Sequence, residues 1–106
     1  MTTWFRTYCE DDDLWLYFEA DDAGWAARQV EVRGQDSRPV TAASLEEMLH
    51  LRDHADLAAM RRYEQQYGLL AEGPMDGWQG QPRAAEITAE EFEWVWAEAR
   101  RALDDS

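Results

Sequence analysis

The chain has no lysine and no asparagine, and it has one cysteine and one isoleucine among its 106 residues. A single thiol, Cys9, excludes an internal disulfide and fits a reducing compartment. No apolar run approaches the ~20 residues that span a bilayer, and no basic, apolar, small-residue leader opens the sequence. The expectation is a cytoplasmic protein with no membrane contact. All ten cations are arginine, a bias against AT-rich codons that points to a GC-rich source genome. Against them stand 23 acidic residues, for a formal net charge of -13. Nucleic-acid affinity rests on neutralising phosphates, so no direct nucleic-acid binding is expected. A basic protein partner, by contrast, would be steered inward by such a field. The same charge also keeps a protein soluble with no partner at all.

What is present suffices for a packed core. The apolar fraction of 45% and the six tryptophans exceed what a disordered chain carries. Each Trp or Tyr buries about 150–250 Å², so a few of them dominate the energetics of a chain this short. Residues 1–106 fit one domain, with neither internal repeats nor a Pro/Ser-rich linker to divide them.

The first third carries strand patterning. Thr3 to Cys9 mixes aromatic and β-branched with polar residues, and the acidic turn Glu10–Asp13 follows. Along Leu14–Ala20, alternation places Leu14, Leu16 and Phe18 on one face and Trp15, Tyr17 and Glu19 on the other. Asp21-Asp22-Ala23-Gly24 is a turn, and the chain returns through Val30 and Val32 to make a hairpin. Gly34 to Pro39 has turn chemistry and ends the strand run. Ser44 and Glu47 then form a capping box ahead of Leu45, Met48 and Leu49. Asp53 and Asp56 are points where that helix kinks or restarts, and Leu57, Met60, Tyr63 and Tyr67 continue a buried stripe to Gly68. After a breaker-rich loop from Gly73 to Pro82, Thr88 caps a last helix with the stripe Phe92, Val95, Trp96, Ala99 and Leu103. The expected fold class is α+β, an antiparallel sheet of about three strands with two to three helices packed on one face. Strand 14–20 is apolar on both faces, so either both are covered, with 69–87 the segment to do it, or an aromatic patch is exposed as a contact surface.

No catalytic, metal or cofactor site is expected. His50 and His54 share a helix face beside Asp53, but zinc needs three or four ligands and Cys9 is the sole thiol. Glu10–Asp13 lacks the alternating oxygens, glycine and terminal Glu of a calcium loop. The carboxylates Glu19, Asp21, Asp22 and Glu31 with Arg28 have the residue types of general acid/base pairs, yet cross-strand ion pairing accounts for them as well. No Ser/His or Cys/His arrangement and no phosphate-cradling loop accompanies them. Trp78, on a glycine-flanked loop, is either an interface anchor or a plug for the core.

Leu16-Tyr17-Phe18-Glu19-Ala20-Asp21-Asp22, with Trp25, Arg28 and Val30-Glu31-Val32, resembles the hairpin of a family of small uncharacterised bacterial α+β proteins. Ile87-Thr88-Ala89-Glu90-Glu91-Phe92-Glu93 with Trp96 resembles that family's C-terminal helix. The two stretches cover about a third of the chain, and Leu45 to Tyr67 departs from the pattern, which has a glycine-containing loop there. The resemblance implies an α+β fold and brings no activity and no functional residues. Some small acidic bacterial proteins are immunity proteins that neutralise a toxin, an association at the level of class.

The leading expectation is a protein-binding module, immunity-like or regulatory, that blocks a basic partner. Its partner-binding residues are expected among Trp15, Tyr17, Glu19, Asp21, Asp22 and Trp78. Alternatives are a nucleic-acid mimic, a small-ligand-binding domain on the aromatic hairpin face, and a homo-oligomer paired through Trp15, Tyr17 or Trp94.

Overall fold

The computed structural model describes residues 1–105. Strand β1 (Thr3–Cys9), β2 (Leu14–Ala20), β3 (Ala26–Arg33) and β4 (Pro39–Ser44) form an antiparallel meander. A short β5 (Ala85–Glu86) returns to pair with Phe5 and Arg6, giving five strands in the order β4-β3-β2-β1-β5. The fold is α+β, as the sequence implies, but the sheet has two more strands than the three or so expected. Both additions are weak as sequence signals. Pro39 opens β4, the position in a strand where its missing N–H costs least, and Ala42, Ala43 and Ser44 have little β preference. Only pairing with β3, from Arg28↔Ser44 to Val32↔Pro39, makes that segment a strand.

Helix α1 (Leu45–His54) begins where β4 ends, capped by the Ser44 hydroxyl, which accepts the Glu47 N–H at 3.3 Å. Of the two expected kink or restart points, Asp53 stays within α1, and Asp56, after the C-cap Ala55, caps a new helix, α2 (Leu57–Tyr67), by accepting the Ala59 N–H at 2.9 Å. Leu57, expected in the buried stripe, is 63% exposed, because the restart turns it to solvent; Tyr63 is the buried member. Gly68 ends α2 at φ +86°, and a β-carbon there would meet the Thr41 side chain at 2.5 Å. The chain thus crosses the β4 edge at a point that only glycine fits. Helix α3 (Ala89–Asp104) is capped by Thr88, whose hydroxyl accepts the Glu91 N–H at 3.0 Å.

Two cores result, one on each side of the sheet. Phe92, Ala99, Val95, Trp96 and Leu103 of α3 pack on Val30 and Ala42. On the other side Phe5, Phe18, Ala20 and Ala26 are covered by Leu70, Ala71, Met75 and Trp78 of the irregular stretch that follows α2. The alternation of β2 sorts its side chains accordingly: Phe18 and Leu16 face the irregular stretch, and Tyr17 faces α3. None of the described helices is long and apolar enough to cross a membrane.

Candidate partner-binding surfaces

The six residues singled out in the sequence separate into three places. Glu19 stands on the α3 side, where register sets it opposite Arg28. Arg28 grips it with two hydrogen bonds, Nε to Oε1 at 2.8 Å and Nη2 to Oε2 at 2.7 Å, and Trp4 Nε1 donates a third at 2.9 Å. The Arg28 guanidinium holds the Glu19 carboxyl below the usual carboxylate range, against the effect of burial. Glu19 is thereby committed to an ion pair that ties β1, β2 and β3. Glu31, the other carboxylate of the hairpin, accepts the Thr41 hydroxyl at 3.0 Å on the opposite face.

Arg28 belongs to a larger network around Trp96. Its guanidinium carbon lies 5.1 Å from the Trp96 ring centre, and that of Arg100 lies 4.5 Å from it. Arg100 donates to the Ala42 carbonyl at 2.9 Å, to Glu47 at 3.1 Å and to the Tyr63 hydroxyl at 3.1 Å, and covers Tyr67 at 3.7 Å. Burial pushes the Glu47 carboxyl up, but the hydrogen bonds from Arg100 and Tyr63 outweigh it and leave the group below its ordinary value. Burial and the bond to Glu47 push the Tyr63 hydroxyl up to about 12. A cleft of about 690 Å³ opens beside this network, walled by Arg28, Glu47, His50, Tyr63, Tyr67 and Trp96. Its two guanidinium groups already hold the carboxylates of Glu19, Glu93 and Glu47, so the cleft offers an incoming anion little free charge. His50 lines the cleft and its ring centre lies 4.7 Å from that of His54, and no group of three His, Cys, Asp or Glu able to hold a metal occurs among the described residues.

Trp78 stacks on Phe5, ring centres 4.4 Å apart and planes 9° from parallel, and so closes the core beneath β1 and β2. Trp15 and Tyr17 are half-buried on the α3 side, Trp15 against Tyr8 at 4.9 Å.

Asp21 and Asp22 lie elsewhere, in the β2–β3 turn. Asp21 accepts the N–H groups of Ala23 and Trp25, each at 2.9 Å, and Gly24 follows at φ +86°. The loop after α2 is pinned to this turn, since the Met75 N–H donates to the Gly24 carbonyl at 2.8 Å and Trp25 bridges to Pro74. Between them runs an apolar groove of about 290 Å³ walled by Trp25, Leu45, Met48, Leu70 and Ala71. Trp25 remains 47% exposed. Asp21 and Glu72 border the groove, and Asp22 and Asp76 flank the turn. Asp22 meets the amino group of Met1, whereas Asp21, Glu72 and Asp76 face no arginine among the described residues. Sequence reasoning missed Trp25, Glu72 and Asp76 as members of one surface. The available signal was the exposed aromatic directly after an Asp-Asp-Ala-Gly turn, but its acidic neighbours come from a loop about 50 residues away in the chain.

No family model matches the chain, and neither the curated proteins nor the solved structures contain a significant match to it.

Proposed function

We propose that the chain is a protein-binding module, immunity-like or regulatory in kind, and that the groove at Trp25 receives a basic partner. The observation that carries this reading is the pairing of a half-exposed tryptophan in an apolar groove with carboxylates that have no arginine of their own. An aromatic anchor with a desolvated wall supplies most of the binding energy in such surfaces, and the charged rim sets the rate of encounter. The apolar stem and charged head of an arginine or lysine on the partner match the groove and its rim respectively. A nucleic-acid mimic is less well supported, since these acids ring an apolar centre and do not run along an extended face.

The test is retention of host-lysate proteins on the immobilised chain, compared with Trp25→Ala and Glu72→Arg baits. The expected result is a stoichiometric basic protein on the wild-type bait, lost from both variants and released at high salt. A protein held equally by all three baits, or held regardless of ionic strength, would overturn the assignment.

A further inference from the structure

On the α3 side of the sheet lies a second surface, in which aromatic rings are joined by arginines as well as acids. Helix α3 packs chiefly on β4, and it leaves the β1–β2 end of this face to aromatic and arginine side chains. A groove of about 410 Å³ runs between α3 and the sheet, walled by Tyr17, Val32, Pro39, Trp94 and Val95. Trp94 stands at its edge, 67% exposed and without a ring partner among the described residues. Trp15 continues the surface two positions from Tyr17 on the same face of β2. Arg6 lies over Trp15 with its guanidinium carbon at 5.0 Å, and Arg83 lies over Tyr8 at 5.1 Å. Neither arginine pairs with a carboxylate among the described residues, and Arg6 Nε is buried with no acceptor. Arg38, Arg61 and Arg62 are likewise without a carboxylate partner among the described residues, but Arg6 and Arg83 are the unpaired arginines that lie on the aromatic rings of this face. At the adjoining β1–β2 turn, Glu10 and Asp11 are exposed and likewise unpaired.

We infer that this face is where two copies of the chain associate, each seating its Trp94 in the groove of the other. A two-fold axis makes such a contact reciprocal, so one exposed tryptophan and one empty groove per copy satisfy each other twice. The same axis would set Arg6 and Arg83 of one copy against the Glu10–Asp11 turn of the other, a charge complementarity between this face and the turn at its border. Elsewhere the surplus of acid makes two copies repel, and the end of this face where Arg6 and Arg83 stand unpaired is where that repulsion is relieved. The pairing leaves the Trp25 groove on the far side of the sheet free, so the two surfaces act independently of each other.

The experiment is sedimentation equilibrium of the full chain between about 1 µM and 1 mM, a range that covers weak homodimers. The wild type is expected to show a concentration-dependent dimer, and Trp94→Arg a monomer with an unchanged thermal midpoint, since the side chain is largely exposed. Arg83→Glu and Glu10→Arg should each weaken the dimer at least tenfold, and mixing those two variants should restore association through the reversed pair. A wild type that is monomeric throughout would overturn the inference. So would a dimer unaffected by Trp94→Arg, or one abolished instead by Trp25→Ala.

Discussion

The hydroxyl of Tyr63 accepts the backbone N–H of Ser44 at 2.8 Å. A side chain from α2 thus takes the place in the first turn of α1 that the carboxylate of a capping box fills. Glu47, the residue expected to reach back to Ser44, is released to bind Arg100 and to accept the Tyr63 hydroxyl at 2.7 Å. One local motif is converted into a junction of β4, α1, α2 and α3.

Tyr63→Phe should destabilise the fold by about 1–3 kcal/mol, because a buried N–H loses its acceptor and Glu47 and Arg100 each lose a partner. Urea unfolding measures this, and a midpoint equal to that of the wild type would show that the junction contributes nothing.

The same hydroxyl predicts alkaline behaviour. Its ionisation is pushed from 10.0 in a free tyrosine up to about 12 in the fold. The unfolded chain therefore loses this proton first as pH rises, so stability is full below pH 10 and declines between 10 and about 12. In Tyr63→Phe that part of the decline should vanish from a series of unfolding curves taken across the interval.

On the acid side, Glu19 and Glu47 are both held below their ordinary value of 4.5. Stability from these pairs is complete above pH 4.5 and is lost as pH falls through the lower folded-state values. Arg28→Met should remove the Glu19 contribution and leave that carboxylate without its cation, at a cost of about 3 kcal/mol near neutrality. Its acid transition should begin at higher pH than that of the wild type, read by circular dichroism.

Trp96→Ala removes a ring packed on Phe92 and flanked by Arg28 and Arg100, and should cost about 3–5 kcal/mol. Trp96→Phe, which keeps an aromatic face for both guanidinium groups, should cost less than half as much. Equal losses in the two variants would show that the aromatic face contributes nothing at this position.

Gly68→Ala should be destabilising by about 2 kcal/mol or more, since it combines a left-handed backbone with a contact on Thr41. Thr41→Ser removes the crowding methyl and keeps the hydroxyl that bonds Glu31, so the double variant should recover part of the loss. Strict additivity of the two substitutions would place the whole cost in the backbone.

Much of this structure can be read from local chemistry. The alternation of Leu16 and Phe18 against Trp15, Tyr17 and Glu19 determined which side chains share a face, because a strand has period two whatever it packs on. Thr88, and the stripe from Phe92 to Leu103, determined α3 in the same way, through a cap and a 3.6-residue period. Ser44 and Asp56 marked the starts of α1 and α2. Other features belong to the tertiary structure alone. Pro39–Ser44, with only Val40 and Thr41 as strand formers, and Ala85–Glu86 become strands by pairing with β3 and β1. Trp78 could face solvent or core, and the stack on Phe5 decided it. Glu47 has one partner by local geometry and two others across the fold, and the distant pair prevailed because Arg100 brings a full charge to a half-buried carboxylate. The acidic rim of the Trp25 groove likewise arises only when the loop after α2 is pinned to the β2–β3 turn, because spatial neighbours so far apart in the chain leave no local period to read.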